Sequence, residues 1–275
     1  KLVRRDTGYT MTLTRSSDNA IVRTTVENPF GKGILVPGPG SGTAIVSSTV
    51  TALLEALELN SAVGHSIIGS HIYSANATAL AIDDSSTGTV ISQSRLVSQA
   101  AAGYALYLTT ATATLVSQSL VENTSGYAAF FAAKADGNTF DLSTVTARVS
   151  GYSALYLDNA STNTFTRSYF GNAAGNGVTF GAGASSNTLS RSTVASSGAA
   201  ARALSLFMAL DSYVYDSWLL GAGYGAYAEL SSRALILRST VAGLGAVPGF
   251  MVAGSSGVVL RDSYAQGSDA VNVYS

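Results

Sequence analysis

The sequence predicts an all-β fold: a single-stranded, right-handed parallel β-helix, a solenoid of about 11 coils of about 24 residues, running through residues 1–275 as one domain. Three columns of residues predict it. A hydroxyl side chain recurs as Thr24, Ser48, Ser70, Ser94, Ser119, Ser143, Ser168, Ser192, Ser217, Ser239 and Ser263, at intervals of 22 to 25 residues. Three residues before each stands a large apolar residue, from Ile21 and Ile45 through Phe140 and Phe165 to Leu260. Two residues after each stands another, from Val26 and Val50 through Phe170 to Leu219 and Val241, with only Ala265 small.

The residue between the hydroxyl and the second apolar column varies freely: Thr49, His71, Arg95, Leu120, Tyr169, Trp218. This is strand alternation, with the hydroxyl and both apolar columns inside and the variable column outside. A further strand lies about a dozen residues on in most coils. Its inner members are Leu106 and Leu108, Leu155 and Leu157, Val178 and Phe180, Val271 and Val273. Gly and small polar residues fill the gaps between strands, as turns require. Thr51 to Leu59 is the best helix candidate, but it alternates at its end and sits where another coil expects a strand, so it is assigned as strand. Asn138, Asn163 and Asn187 form one more inward column, poised for amide bonds from coil to coil.

A period near 24 is too long for a six-residue left-handed helix, and the leucine-rich signature is missing. A three-sided coil with parallel strands remains, and the crossover rule makes it right-handed. At a strand spacing of about 4.8 Å the stack is a rod roughly 50 Å long.

Composition narrows the function classes. Charged residues are only 11% and the net charge is −1, with Lys1, Lys32 and Lys134 the only lysines, so nucleic acid is not an expected partner. There is no cysteine, hence no disulfide framework and no Cys-based metal or redox site. Mean hydropathy is +0.27, yet no apolar run approaches the roughly 18 to 20 residues of a spanning helix, and no membrane insertion is expected. The chain opens at Lys1-Leu2-Val3-Arg4-Arg5 and ends within the repeat without a polar cap, which predicts a segment of a longer repeat protein or end-to-end stacking.

The block Gly151-Tyr-Ser-Ala-Leu-Tyr-Leu-Asp-Asn-Ala-Ser-Thr-Asn-Thr-Phe-Thr-Arg-Ser168 resembles the parallel β-helix repeat of the pectin-lyase-like superfamily, and the likeness covers nearly the whole chain. The resemblance implies the fold. It does not fix an activity, because that superfamily includes lyases, glycosidases, phage tailspikes, surface adhesins and inert shafts.

Polysaccharide-cleaving members of that superfamily carry acidic residues, often with Ca²⁺, and a basic residue on the outside of one sheet. The nearest counterpart is the column just before the hydroxyl, with Arg167, Arg191, Asp216, Arg238 and Asp262, which reads as a ladder of compensating charges. Asp83-Asp84 and Gly64-His65-Ser66 resemble the glycosidase branch only in reversed order, and the Asp pair sits in a turn-forming Asp-Asp-Ser-Ser-Thr-Gly run. His65 falls in an inward column and His71 in an outward one, so they do not chelate a metal together. No catalytic residue, cofactor or metal site is therefore assigned.

One outward feature remains as a candidate contact surface. Tyr107, Phe130 and Tyr156 share an outer column on three consecutive coils, preceded by Tyr104, Tyr127 and Tyr152 on the entering turns. Six rings at strand spacing form an apolar stripe, open to three readings: contact with a neighbouring chain, contact with a glycan, or rings that only shield one another and the sheet surface. The expected function is a non-catalytic structural or adhesive shaft of a secreted or cell-surface bacterial protein or filament, self-associating laterally or end to end. The alternative is a polysaccharide-binding or polysaccharide-cleaving β-helix. Ser-Thr-Val repeats put Thr49, Thr144, Thr193 and Thr240 outward, but His71, Arg95, Leu120, Tyr169 and Trp218 interrupt the flat array that ice binding needs.

Overall fold

The computed structural model describes residues 1–101 and 103–274 and consists of three parallel sheets wound into one coil stack. Two sheets have 12 strands and the third has 11, each strand pairing with its counterparts in the coils before and after. We call them A, B and C; one coil runs through Arg95–Ser98 (A), Tyr104–Thr109 (B) and Leu115–Ser117 (C). The predicted fold class is therefore the observed one.

All three columns hold. Ile21 through Leu260 form the inward row of sheet C, and Val26 through Ala265 that of sheet A, in unbroken register. The apolar residues of the middle coils are sealed from solvent, and Phe131, Phe140, Phe165, Phe170 and Phe180 pack ring against ring at 5.8 to 6.3 Å. Val271 and Val273, predicted inward, pair with Phe250 and Val252 but are 43% and 67% exposed, with no later sheet B strand over them among the described residues. Thr51–Leu59 is extended at both ends: Thr49–Ala52 ends in sheet A, a bend spans 53–56, and Leu57–Val63 continues in sheet B.

One correction concerns the hydroxyl run, which is two strands and not one. The residue before each hydroxyl is in the left-handed region, with φ between 48° and 56° from Arg23 to Asp262, and only Gly69 among them is a glycine. The chain bends there from sheet C into sheet A. Such a conformation costs an L-residue of order 1 kcal/mol or more, and the hydroxyl next to it repays that locally. Ser48 Oγ donates to the carbonyl of Val46 at 2.9 Å and accepts the N–H of Thr24, one coil earlier, at 3.0 Å. The second bond recurs at every step to Ser239 and Ser263, at 3.0 to 3.2 Å. The serine ladder thus satisfies a backbone donor that the bend removes from the sheets.

The asparagine column does the same at the turn from B into C. Asn138 Oδ1 accepts the N–H of Thr114, Asn163 Oδ1 that of Asn138, and Asn187 Oδ1 that of Asn163, at 2.8 to 2.9 Å. His65 stands in for an amide in this column: it is 1% exposed, and its Nδ1 accepts the N–H of Thr43 at 2.9 Å. Burial lowers its pKa, which keeps the imidazole neutral and able to accept. At the A-to-B corner Asn123 organises the turn, donating to the carbonyls of Gly103 and Tyr127 while its Oδ1 accepts from Ser125 and Gly126 N–H.

Candidate functional site

The six predicted contact residues lie together on the outside of sheet B. Tyr104 pairs with Tyr127, and Tyr107 with Phe130 and then Tyr156, on consecutive coils. Tyr152 enters just before the strand Ser153–Asp158 and meets Tyr127 edge-on at 4.9 Å. Within one strand Tyr104 stacks on Tyr107 at 4.9 Å, because Ala105 and Leu106 both turn inward and leave the two rings on the same side. Phe130 stacks on Tyr156 at 5.2 Å. The rings shield one another, so each is half-buried, and burial raises the pKa of Tyr104, Tyr127 and Tyr156. The stripe is bounded by Ala81 on one side and by Thr179 on the other.

Upstream on the same face the surface turns polar. Glu58 accepts a 2.6 Å bond from the Tyr9 hydroxyl and lies 3.4 Å from the Lys32 ammonium, which also reaches Glu55. Burial and the Glu58 carboxylate push Tyr9 up to about 12. Asp83 pairs in register with Asn60 on the preceding coil, and the buried Oδ1 of each has no hydrogen-bond partner among the described residues. Partial burial, with Asp84 and Glu58 nearby, pushes the Asp83 carboxyl up to about 6 from 3.8. A carboxyl raised on folding stabilises the fold only below its unfolded pKa, and that stability is lost as pH rises through about 6. Asp83→Asn removes the charge and supplies a donor opposite Asn60. It is expected to stabilise the protein by about 1 kcal/mol at pH 7, after allowance for its half-exposed setting. The gap to wild type closes toward pH 4, as urea denaturation at the two pH values will show.

The charge ladder is real but paired differently from expectation. Arg238 clamps Asp216 through two bonds of 2.7 and 3.0 Å, one coil apart, as predicted. Arg167 instead clamps Asp141, which belongs to the sheet C strand Thr139–Asp141 and not to the column before the hydroxyl. Asp211 and Arg233 form a third such clamp, and Glu122, 8% exposed, takes Arg95 on one side and Arg148 on the other. The Arg238 bond holds the Asp216 carboxyl below its usual range, so this pair is a poor proton acceptor or donor near neutrality. His71 is half-buried on the outside of sheet A, away from His65 in the interior.

The outer column of sheet A, expected only as an interrupted threonine row, also carries exposed aromatic rings. There Tyr169 and Trp218 are 40% and 61% exposed, more open than the sheet B stripe. They appeared only as interruptions of a threonine row; the signal was their spacing of two coils.

A family profile described as "Right handed beta helix region" matches residues 55–208, more than half of the chain. The chain belongs to the right-handed β-helix family. No curated protein sequence matches it. Among solved structures, this β-helix resembles the Dettilon tailspike protein at 13% identity and a TM-score of 0.66, over 98% of this chain and 55% of the tailspike chain. The chain thus spans about half the length of that relative. The periplasmic alginate epimerase AlgG superposes with a TM-score of 0.57 at 11% identity, covering 99% of this chain and 76% of the enzyme. A single-site mutant of the tailspike of Escherichia coli bacteriophage HK620, in complex with a pentasaccharide, gives 0.55 at 9% identity, covering 98% and 69%. At these identities the likeness is one of fold.

Proposed function

We propose that this β-helix is a rigid, non-catalytic shaft of a secreted or cell-surface bacterial protein or filament, and that the sheet B stripe packs it side by side against a neighbouring chain. The observation that carries the shaft reading is the plainness of its outer surface. Described strands are joined by connections of at most seven residues, as at 13–19 and 181–187, so three sheets and their corners make up the outside. Functional clefts on solenoids are commonly walled by longer loops. The ladders of serine, asparagine and ion pairs tie each coil to the next, which suits a part that bears length and stiffness.

The stripe supports lateral packing because it lies on middle coils, where contacts at the ends of the stack do not cover it. The change of Tyr107, Phe130 and Tyr156 together to Ser is expected to leave the fold intact and to lower self-association in sedimentation velocity. Unchanged association would remove the stripe from the interface, and an unfolded variant would make the rings structural. The polysaccharide-cleaving alternative is tested by incubation with polyuronides, with and without Ca²⁺. The shaft reading expects no unsaturated or reducing ends; turnover lost in Asp216→Ala would replace it with an enzyme.

A further inference from the structure

A second aromatic array lies on another face, and it is built differently. Along the outer column of sheet A the order on successive coils is Tyr169, Thr193, Trp218, Thr240, Tyr264, in continuous register. Aromatic rings therefore recur on every second coil, about 10 Å apart, with a threonine between. On sheet B neighbouring rings cover one another; here the spacing prevents that, and Tyr169, Trp218 and Tyr264 are 40%, 61% and 59% exposed.

The surroundings are those of a shallow binding track. A groove of about 290 Å³ runs beside Tyr169 over a floor of small residues that includes Gly171 and Ala195. The Tyr169 ring reaches over Gly171, where a Cβ would stand 2.5 Å from its hydroxyl oxygen. A second groove of about 310 Å³ is lined by Arg191, Thr193, Asp216 and Trp218. Arg191 forms no ion pair among the described residues, whereas Arg167, one coil before it, and Arg238, two coils after it, each clamp a carboxylate.

We infer that this face binds an extended glycan chain, with Tyr169 and Trp218 as stacking platforms and Arg191 and Thr193 as hydrogen-bonding groups between them. A sugar ring has an apolar C–H face and a polar rim. In an extended chain alternate units return to the same facing at a repeat close to two strand spacings. Rings two coils apart with hydroxyl and guanidinium groups between them match that alternation. A protein partner would call for a contiguous apolar centre, and polar groups interrupt this one at every second coil. A nucleic acid would call for a run of unpaired basic groups along the face, whereas here Arg191 stands beside Asp216 and Arg148, Arg167 and Arg238 are each paired with a carboxylate. The inference goes beyond the shaft reading and is independent of the sheet B stripe.

Trp218 is the only tryptophan in the chain, so its emission reports on this site alone. The test is a fluorescence titration with dimers and hexamers of β-1,4-linked glucose, N-acetylglucosamine, xylose and mannose, and of galacturonate and alginate. At least one hexamer is expected to shift the emission saturably, with the matching dimer about tenfold weaker or worse because it does not span both platforms. Tyr169→Ala, which leaves the reporter in place, is expected to weaken that hexamer about tenfold or more. Thr193→Tyr, which fills the gap between the rings, is expected to weaken it as well. Tyr107→Ser on sheet B is expected to change nothing. Circular dichroism of each variant matching wild type secures the comparison. An emission unmoved by every hexamer, equal affinity for dimer and hexamer, or wild-type affinity in both folded sheet A variants would overturn the inference.

Discussion

Phe165→Ala is expected to destabilise the protein by about 3 to 5 kcal/mol, the loss of transfer free energy plus a cavity that stiff strands cannot close. Phe165 is fully buried, and its ring lies 5.8 to 6.1 Å from those of Phe131, Phe140, Phe170 and Phe180. These neighbours belong to all three sheets, so the cavity opens at the centre of the coil and not under one face. Because solenoid stability is close to a sum over adjacent coils, the loss should also be local. Hydrogen exchange in the coils around Phe140 to Phe180 is expected to quicken most, and urea unfolding to move to a lower midpoint. A midpoint equal to that of wild type would show that the inward assignment is wrong.

Asn163→Leu is expected to cost about 2 to 4 kcal/mol although it adds apolar volume to a buried site. Asn163 is fully buried; its Oδ1 accepts the Asn138 N–H at 2.8 Å and its Nδ2 donates to Asn187 Oδ1 at 3.1 Å. Leucine keeps the branched skeleton with bulkier ends and leaves the Asn138 N–H sealed without a partner, a penalty of about 1 to 3 kcal/mol by itself. Loss of the second bond and the altered shape add to it. The Asn138 amide should lose its exchange protection before its neighbours do, which separates an orphaned donor from general loosening. Ser143→Ala, which orphans the Ser119 N–H at the bend from sheet C into sheet A, is expected to cost about 1 to 2 kcal/mol. If Asn163→Leu proves as stable as wild type, the ladder does not specify the turn.

The parts legible in the sequence were those set by burial. Period, strand direction and the inward columns follow from apolar residues that no other environment accepts, such as Ile21, Ile91 and Phe165. The bend before each serine was missed because its left-handed residue is Arg23, Gln93, Leu142 or Asp216 and seldom glycine. The clue was parity. Ile21 and Thr24 are three apart, and two inward residues of one straight strand must be an even number apart. The pairing of Arg167 with Asp141 was illegible for the same reason, since it crosses that bend. On the candidate surface the sequence places all six rings of the stripe together and offers mutual shielding as one reading of it; which ring stacks on which depends on rotamers that the sequence does not show. Tyr169 and Trp218 look like breaks in a threonine row in the sequence, because their repeat spans two coils and each has a threonine as its neighbour on the next coil.

The central claim, a stiff shaft that packs side by side, is tested most directly by small-angle X-ray scattering over a concentration series. The expected result is a cross-sectional radius of gyration that grows with concentration while the rod length stays near 50 Å, about eleven strand spacings. The Tyr107, Phe130 and Tyr156 triple change should hold the cross-section at the single-rod value. A cross-section constant at all concentrations, or a length that grows while the cross-section does not, would contradict it.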